Sequence, residues 1–163
     1  MGVPNKVLTL VLIREEYRIL LGMKKRGFGV NRWNGFGGKV EAGETIAQGA
    51  KREVEEECGL TLTEFEEVGR IDFEFVGEPQ ILEVHIFRGD KYEGKLQETE
   101  EMRPKWFALD AIPFHSMWPD DAYWFPIFLR GSKFKGYIKF EGHDKILDCS
   151  LEELETTDSY CVK

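Results

Sequence analysis

The chain has 163 residues, 42% of them hydrophobic, and a formal net charge of −8. Length and apolar content fit a single domain over residues 1–163 with a packed core at about 3–155, and no tract is biased enough to read as disordered. The acidic balance excludes long-range attraction of a nucleic acid polymer, so a phosphate ligand needs a metal ion or a few placed cations.

"MGVPNKVLTLVLI" is apolar only over a short stretch with no cleavage pattern behind it, which predicts neither a signal peptide nor a membrane span. "KVLTLVLI" (Lys6 to Ile13) and "YRILLGM" (Tyr17 to Met23) read as neighbouring strands. Lys24 to Gly38 is a glycine-rich loop carrying basic and aromatic residues. A helix follows, opened by the capping box of Thr45 and Gln48 and stopped by Gly59. In "VGRIDFEFV", Ile71, Phe73 and Phe75 point one way and Arg70, Asp72 and Glu74 the other; "ILEVHIFRG" aligns Leu82, Val84 and Ile86. "MRPKWFAL" is a short strand. A second helix starts at Asp120 or Asp121, with Pro126 tolerable only near its first turns. "FKGYIKF" and "KILDCSL" are closing strands, and "TTDSYCVK" is a loose end. Cys58, Cys149 and Cys161 have no metal or CxxC spacing, which fits a reducing compartment. This order predicts an α+β fold with a mixed sheet between helices.

The first helix crowds its acids. On a wheel of about 100° per residue, Glu53, Glu56 and Glu57 share one arc, and Ala47, Ala50, Val54 and Cys58 form a core stripe. Lys51, Glu55 and Gln48 face water. Like charges at i,i+3 and i,i+4 destabilise a helix, and Glu57 also sits at the end where the dipole disfavours anions. A hard divalent cation would relieve both, with Arg52 gripping Glu44 or a helix glutamate through its fork. The plainer alternative is a charged solvent face.

Gly38, five residues, Glu44, seven residues, then "REVEEECGL" (Arg52 to Leu60) resembles the box of the Nudix hydrolases without a gap. Similarity to the branch acting on oxidised purine nucleoside triphosphates extends through "LLGMKKRGFG", "RWNGFGGKV", "FEFVGEP", "EMRP" and "WPDDAYWFP". The resemblance implies an α/β/α sandwich around a mixed sheet and Mg²⁺-dependent hydrolysis, with Mn²⁺ as a substitute. It implies metal ligation by the Gly37 carbonyl, Glu53, Glu56, Glu57 and Glu101, with Arg52 and the helix glutamates as the catalytic group; the base is one of Glu53, Glu56, Glu57 and Glu101, which the sequence leaves open with a lean to Glu57. It also implies a base pocket of Thr9, Lys24, Phe28, Asn34, Phe36, Phe73, Met102, Trp118, Asp120, Asp121 and Phe140.

Trp118 and Met102 suit the faces of a flat purine, Phe28 and Phe73 its floor, and Asn34 its edge. Asp120 and Asp121 read an edge as acceptors when ionised or as a donor when one is protonated; the alternative is a helix cap. Asp72 stands where the family carries an apolar residue, harmless if it faces away from the pocket. The expected partner is a small nucleotide, with no nucleic acid polymer or membrane, for a monomer in the cytoplasm with mitochondrial and nuclear pools. Other readings are a Nudix specificity for ADP-ribose or a dinucleotide, or a nucleotide-binding module without catalysis.

Overall fold

The computed structural model describes residues 2–154, so the expected loose end lies outside the described residues, as does Cys161. Strand β1 (Lys6–Arg14) has period-two patterning: Leu10 and Leu12 pack on one face of the sheet, Val11 and Ile13 on the other. Strand β2 (Arg18–Lys24) pairs with β1 only at Ile13–Leu20 and Arg14–Ile19, then passes the same edge to the two-residue β3 (Trp33–Asn34). The segment after β3 crosses to β1. Val11 N–H donates to the Phe36 carbonyl at 2.6 Å, Phe36 N–H returns to Val11 at 2.9 Å, and Thr9 N–H donates to Gly38 at 2.9 Å. Gly35 and Gly37 permit this approach, since a Cβ on either would strike the carbonyl of Val11 or Thr9.

Helix α1 (Ile46–Cys58) carries the expected capping box, and Gly59 closes it in the left-handed region at φ 82°. Strands β4 (Thr61–Phe75), β5 (Leu82–Glu93) and β6 (Met102–Ala108) follow, then a 3₁₀ turn at Phe114–Ser116, helix α2 (Asp121–Leu129), and strands β7 (Phe134–Glu141) and β8 (Lys145–Glu153). The sheet runs β3-β2-β1-β5-β4-β7-β8, with β6 on the other edge of β2. The β1–β5 and β4–β7 pairs are parallel and the others antiparallel. Ala50, Val54 and Cys58 of α1 pack against Val11, Ile13, Leu20 and Phe87 on one face. Trp124, Phe125 and Phe128 of α2 pack against Leu12, Ile71, Ile86, Phe134 and Ile138 on the other. Each large apolar side chain contributes about 1.5–3 kcal/mol by burial. This is the α+β sandwich expected, with a mixed sheet between helices.

Three local expectations are corrected. β4 begins at Thr61 rather than near Val68, because register shifts near Leu62–Phe65 and Glu67–Gly69 break the alternation that marks a strand. Pro126 is the sixth residue of α2, beyond the first turn; the short helix holds because Trp124, Phe125 and Phe128 are buried around it. Ala47 is exposed in the first turn of α1, and the core stripe begins at Gly49 and Ala50. Among the described residues, no helix is long and apolar enough to cross a membrane.

Candidate active site

Helix α1 lies with its acidic arc toward the segment held on β1. Glu57 is only 5% exposed, and its Oε1 accepts the Gly37 N–H at 2.9 Å. Glu53 packs against Gly38 so closely that a Cβ there would collide with its carboxylate. Arg52 organises the remaining acids. Its Nε and Nη2 fork onto Glu44 at 3.0 and 2.7 Å, and its Nη1 reaches Glu53 at 3.3 Å and Glu56 at 3.2 Å. Nη2 also donates to the Lys39 carbonyl at 3.1 Å, tying helix to loop. The Thr99 hydroxyl donates to the Glu57 carbonyl at 3.0 Å and accepts the Met102 N–H at 3.2 Å, which brings the Glu101 segment beside the end of α1.

These contacts separate the carboxylates electrostatically. Burial pushes the Glu57 carboxyl up to about 8, against the Gly37 N–H, which favours the charged form; the charge of Glu53 adds to the rise. Burial also raises Glu53. The Arg52 fork holds Glu44 at about 2. Glu56 is turned onto Arg52, and Glu101 onto Arg26 at 2.8 Å and Lys24 at 3.4 Å. Among the described residues, no three His, Cys, Asp or Glu side chains stand together ready to hold a metal ion. The donor set still fits a hard divalent cation, because the acids of α1 are oxygen ligands and two of them are raised by burial and in need of a counter-charge.

Gly37 and Glu57 sit at one end of a cleft of about 850 Å³. Its floor is built by side chains of one sheet face: Leu8 and Leu10 of β1, Phe73 and Phe75 of β4, Leu82 and Val84 of β5, and Phe140 of β7. Lys24, Asn34 and Met102 line it from the β2 side, Trp118, Asp120 and Asp121 from the start of α2. Asn34 Oδ1 accepts the Gly35 N–H at 2.8 Å, so its Nδ2 supplies donors for a ligand. Asp120 and Asp121 are 3% and 2% exposed. Asp120 Oδ2 accepts the Trp124 indole N–H at 2.8 Å, whereas Asp121 Oδ2 is buried without a hydrogen-bond partner. Burial raises both acids, and the charge of Asp120 raises Asp121 further, so the two titrate as a pair. Neither side chain caps α2.

The NUDIX domain model matches residues 4–128, most of the chain. The chain belongs to the NUDIX family. Members of this family generally use a divalent metal such as Mg²⁺. Over 151 residues the chain is 56% identical to the oxidized purine nucleoside triphosphate hydrolase of Danio rerio, spanning 93% of this chain and 97% of that one. The enzyme of the same name from Mus musculus is 56% identical over 152 residues, with the same coverage. The crystal structure of the mutator MutT protein of Bacillus halodurans shares the fold at a TM-score of 0.81 and 24% identity, covering 90% of this chain and 97% of that one.

Within the NUDIX frame, the cleft gathers Thr9, Lys24, Phe28, Asn34, Gly37, Glu57, Phe73, Met102, Trp118, Asp120, Asp121 and Phe140. Glu53, Glu56 and Glu101 stand outside its wall. Phe36 does not belong to the pocket. It is fully buried on the α1 side of the sheet beside Gly22 and Met102, because the chain leaves β2 after Asn34 and crosses to β1, where Phe36 pairs with Val11 and shares its face. Phe28 is not floor either: it is 58% exposed at the mouth and stacks on Trp118, ring centroids 5.0 Å apart. Asp72 faces away from the cleft, bonded to Arg70 at 3.1 Å. Sequence reasoning missed Leu8, Leu10, Phe75, Leu82 and Val84 as cleft wall, and His143 at its mouth. The alternation of β1, β4 and β5 carried the signal for the first five. What it lacked was the pairing that sets Leu8 beside Val84 and Ile71 opposite Val84. No signal marks His143.

Proposed function

We propose that this chain hydrolyses oxidised purine nucleoside triphosphates, such as 8-oxo-dGTP and 2-hydroxy-dATP, to the nucleoside monophosphate and pyrophosphate, clearing damaged precursors from the nucleotide pool. The observation that carries this reading is one cleft with a carboxylate-and-glycine end for polyphosphate and a buried aspartate pair beside Trp118 and Asn34 for a purine edge. The names of the zebrafish and mouse relatives agree with it.

In this reading Glu53, Glu56 and Glu57, with the Gly37 carbonyl and Glu101, would hold Mg²⁺, which would supply positive charge against the polyphosphate. Arg52 keeps Glu53 and Glu56 in place and ties the helix to the Lys39 carbonyl. Glu57, fixed by the Gly37 N–H, accepts the proton as water attacks phosphorus and the phosphoanhydride bond breaks toward the departing phosphate oxygen. Lys24 meets the nucleotide with a positive charge at the cleft wall. Trp118 and Met102 cover the purine, Asn34 donates to it, and one of the buried pair Asp120 and Asp121 donates to its edge while the other accepts. The enzyme acts as a monomer where nucleotides are pooled, in the cytosol with mitochondrial and nuclear fractions.

A panel of 8-oxo-dGTP, 2-hydroxy-dATP, dGTP and ADP-ribose, assayed for monophosphate and pyrophosphate with and without Mg²⁺, tests this reading. The two oxidised triphosphates should lead, and only with Mg²⁺. A preference for ADP-ribose overturns the substrate assignment, and tight nucleotide binding without turnover of any substrate makes the chain a binding module.

A further inference from the structure

Resting on that reading, we infer that Arg32 is the positioning residue of the base pocket: it clamps the Trp118 indole and ties the β7–β8 turn to the loop before β3. Three elements meet at its guanidinium. The Cζ atom lies 4.5 Å above the centre of the Trp118 ring, within cation–π range. Nη1 donates to the His143 carbonyl at 2.9 Å, and Nη2 is bonded to the Asp144 carboxylate. The backbone of Arg32 is itself held: its carbonyl accepts the Lys24 N–H at 3.1 Å, and its N–H donates to Gly29 at 3.2 Å.

The clamp acts at the cleft wall where Trp118 meets the exposed ring of Phe28. Trp118 reaches the cleft from the segment before α2, outside any helix or strand. The residue is 8% exposed, and its ring packs against Phe28, Phe75, Phe140 and His143, with Gly29 close to the indole nitrogen. Phe28 is mostly exposed on a loop with left-handed glycines on both sides, Gly27 and Gly29, so it makes a poor anchor. Arg32 has a side chain only 21% exposed and a planar fork occupied by a fixed carbonyl and a carboxylate. Its charge also reaches both Asp120 and Asp121, opposing the rise that burial imposes on them. One cation therefore braces the stacking ring and faces the edge-reading acids.

The test compares Arg32→Ala, Arg32→Lys and Asp144→Asn with the parent, using Trp118→Phe to assign the Trp118 indole N–H resonance in ¹⁵N-labelled protein. Arg32→Ala should shift or broaden that resonance in the ligand-free protein. It should raise KM for 8-oxo-dGTP roughly tenfold and leave kcat within about twofold, since the loss falls on ligand placement rather than on the reacting end. Arg32→Lys should rescue KM only in part, because an ammonium has no planar face and no fork. Asp144→Asn should fall between parent and alanine variant. An unchanged Trp118 resonance with parent-like KM overturns the inference, as does full rescue by lysine. Loss of kcat together with a lowered melting temperature reduces Arg32 to a stabilising residue and also overturns it. If the parent hydrolyses no oxidised purine triphosphate, the functional reading fails on its own, while the resonance still decides the clamp.

Discussion

Acids gather in two places at the cleft, at the α1 glutamates, of which Glu57 lines it, and at the start of α2, and the two sets behave differently. At the α1 end Glu53 and Glu56 share Arg52, and Glu57 accepts a backbone N–H. At the α2 end Asp120 and Asp121 are buried together with one indole N–H between them and an oxygen that has no partner. The first set has a guanidinium and a backbone N–H at hand; the second has burial that raises both acids. Side-chain type is nearly the same at both ends. What differs is the supply of donors and cations, and on that difference rests the proposal that one set serves phosphate and the other a base edge.

The largest effect should come from the first end. Glu57→Gln is expected to lower kcat on the order of 10²–10³-fold while leaving the fold intact, measured by pyrophosphate release and thermal melting. If it kept parental kcat, the division of labour between the ends would fail. Asp120→Asn and Asp121→Asn should instead change the ratio of kcat/KM between 8-oxo-dGTP and 2-hydroxy-dATP by about ten- to a hundredfold, because each alters which atoms donate. Ratios equal to the parent's in both variants would remove the aspartates from base reading.

Gly37→Ala probes the join between the ends. Its Cβ would meet the Thr9 carbonyl, so the segment must leave β1, at a cost of roughly 1–3 kcal/mol in chemical denaturation and with loss of the Glu57 contact. A smaller effect follows from pH. Both aspartates titrate higher in the folded protein than in the unfolded chain, so the native state binds the extra proton and is favoured where that proton is held. Stability should therefore fall as pH rises through about 6, the folded value of Asp120, by about 2–4 °C in melting temperature. Asp121→Asn should flatten that slope. Asp72→Asn, on the far side of β4, should change stability by no more than about 0.5 kcal/mol and leave kcat unaltered.

The helix end of the site was legible because it is local. Thr45, Gln48, Gly59 and the wheel of α1 all act within a few turns, and the wheel placed Glu53 and Glu57 beside the buried stripe. The base end is non-local. Phe36 and Asn34 are two residues apart, yet only Asn34 reaches the cleft, since that outcome depends on a segment becoming strand-like only by crossing to β1. The start of β4 was obscured by its bulges, and the role of Arg32 needed the β7–β8 turn, more than a hundred residues away, to be brought beside it.

The bonds from β1 to Gly38 and Phe36 have one more consequence. Leu8 and Leu10 floor the base end, while the main chain of Thr9 and Val11 grips the segment that presents Gly37. A single extended strand thus carries both the cleft floor and the glycine segment, so any shift of β1 within the sheet moves the two together.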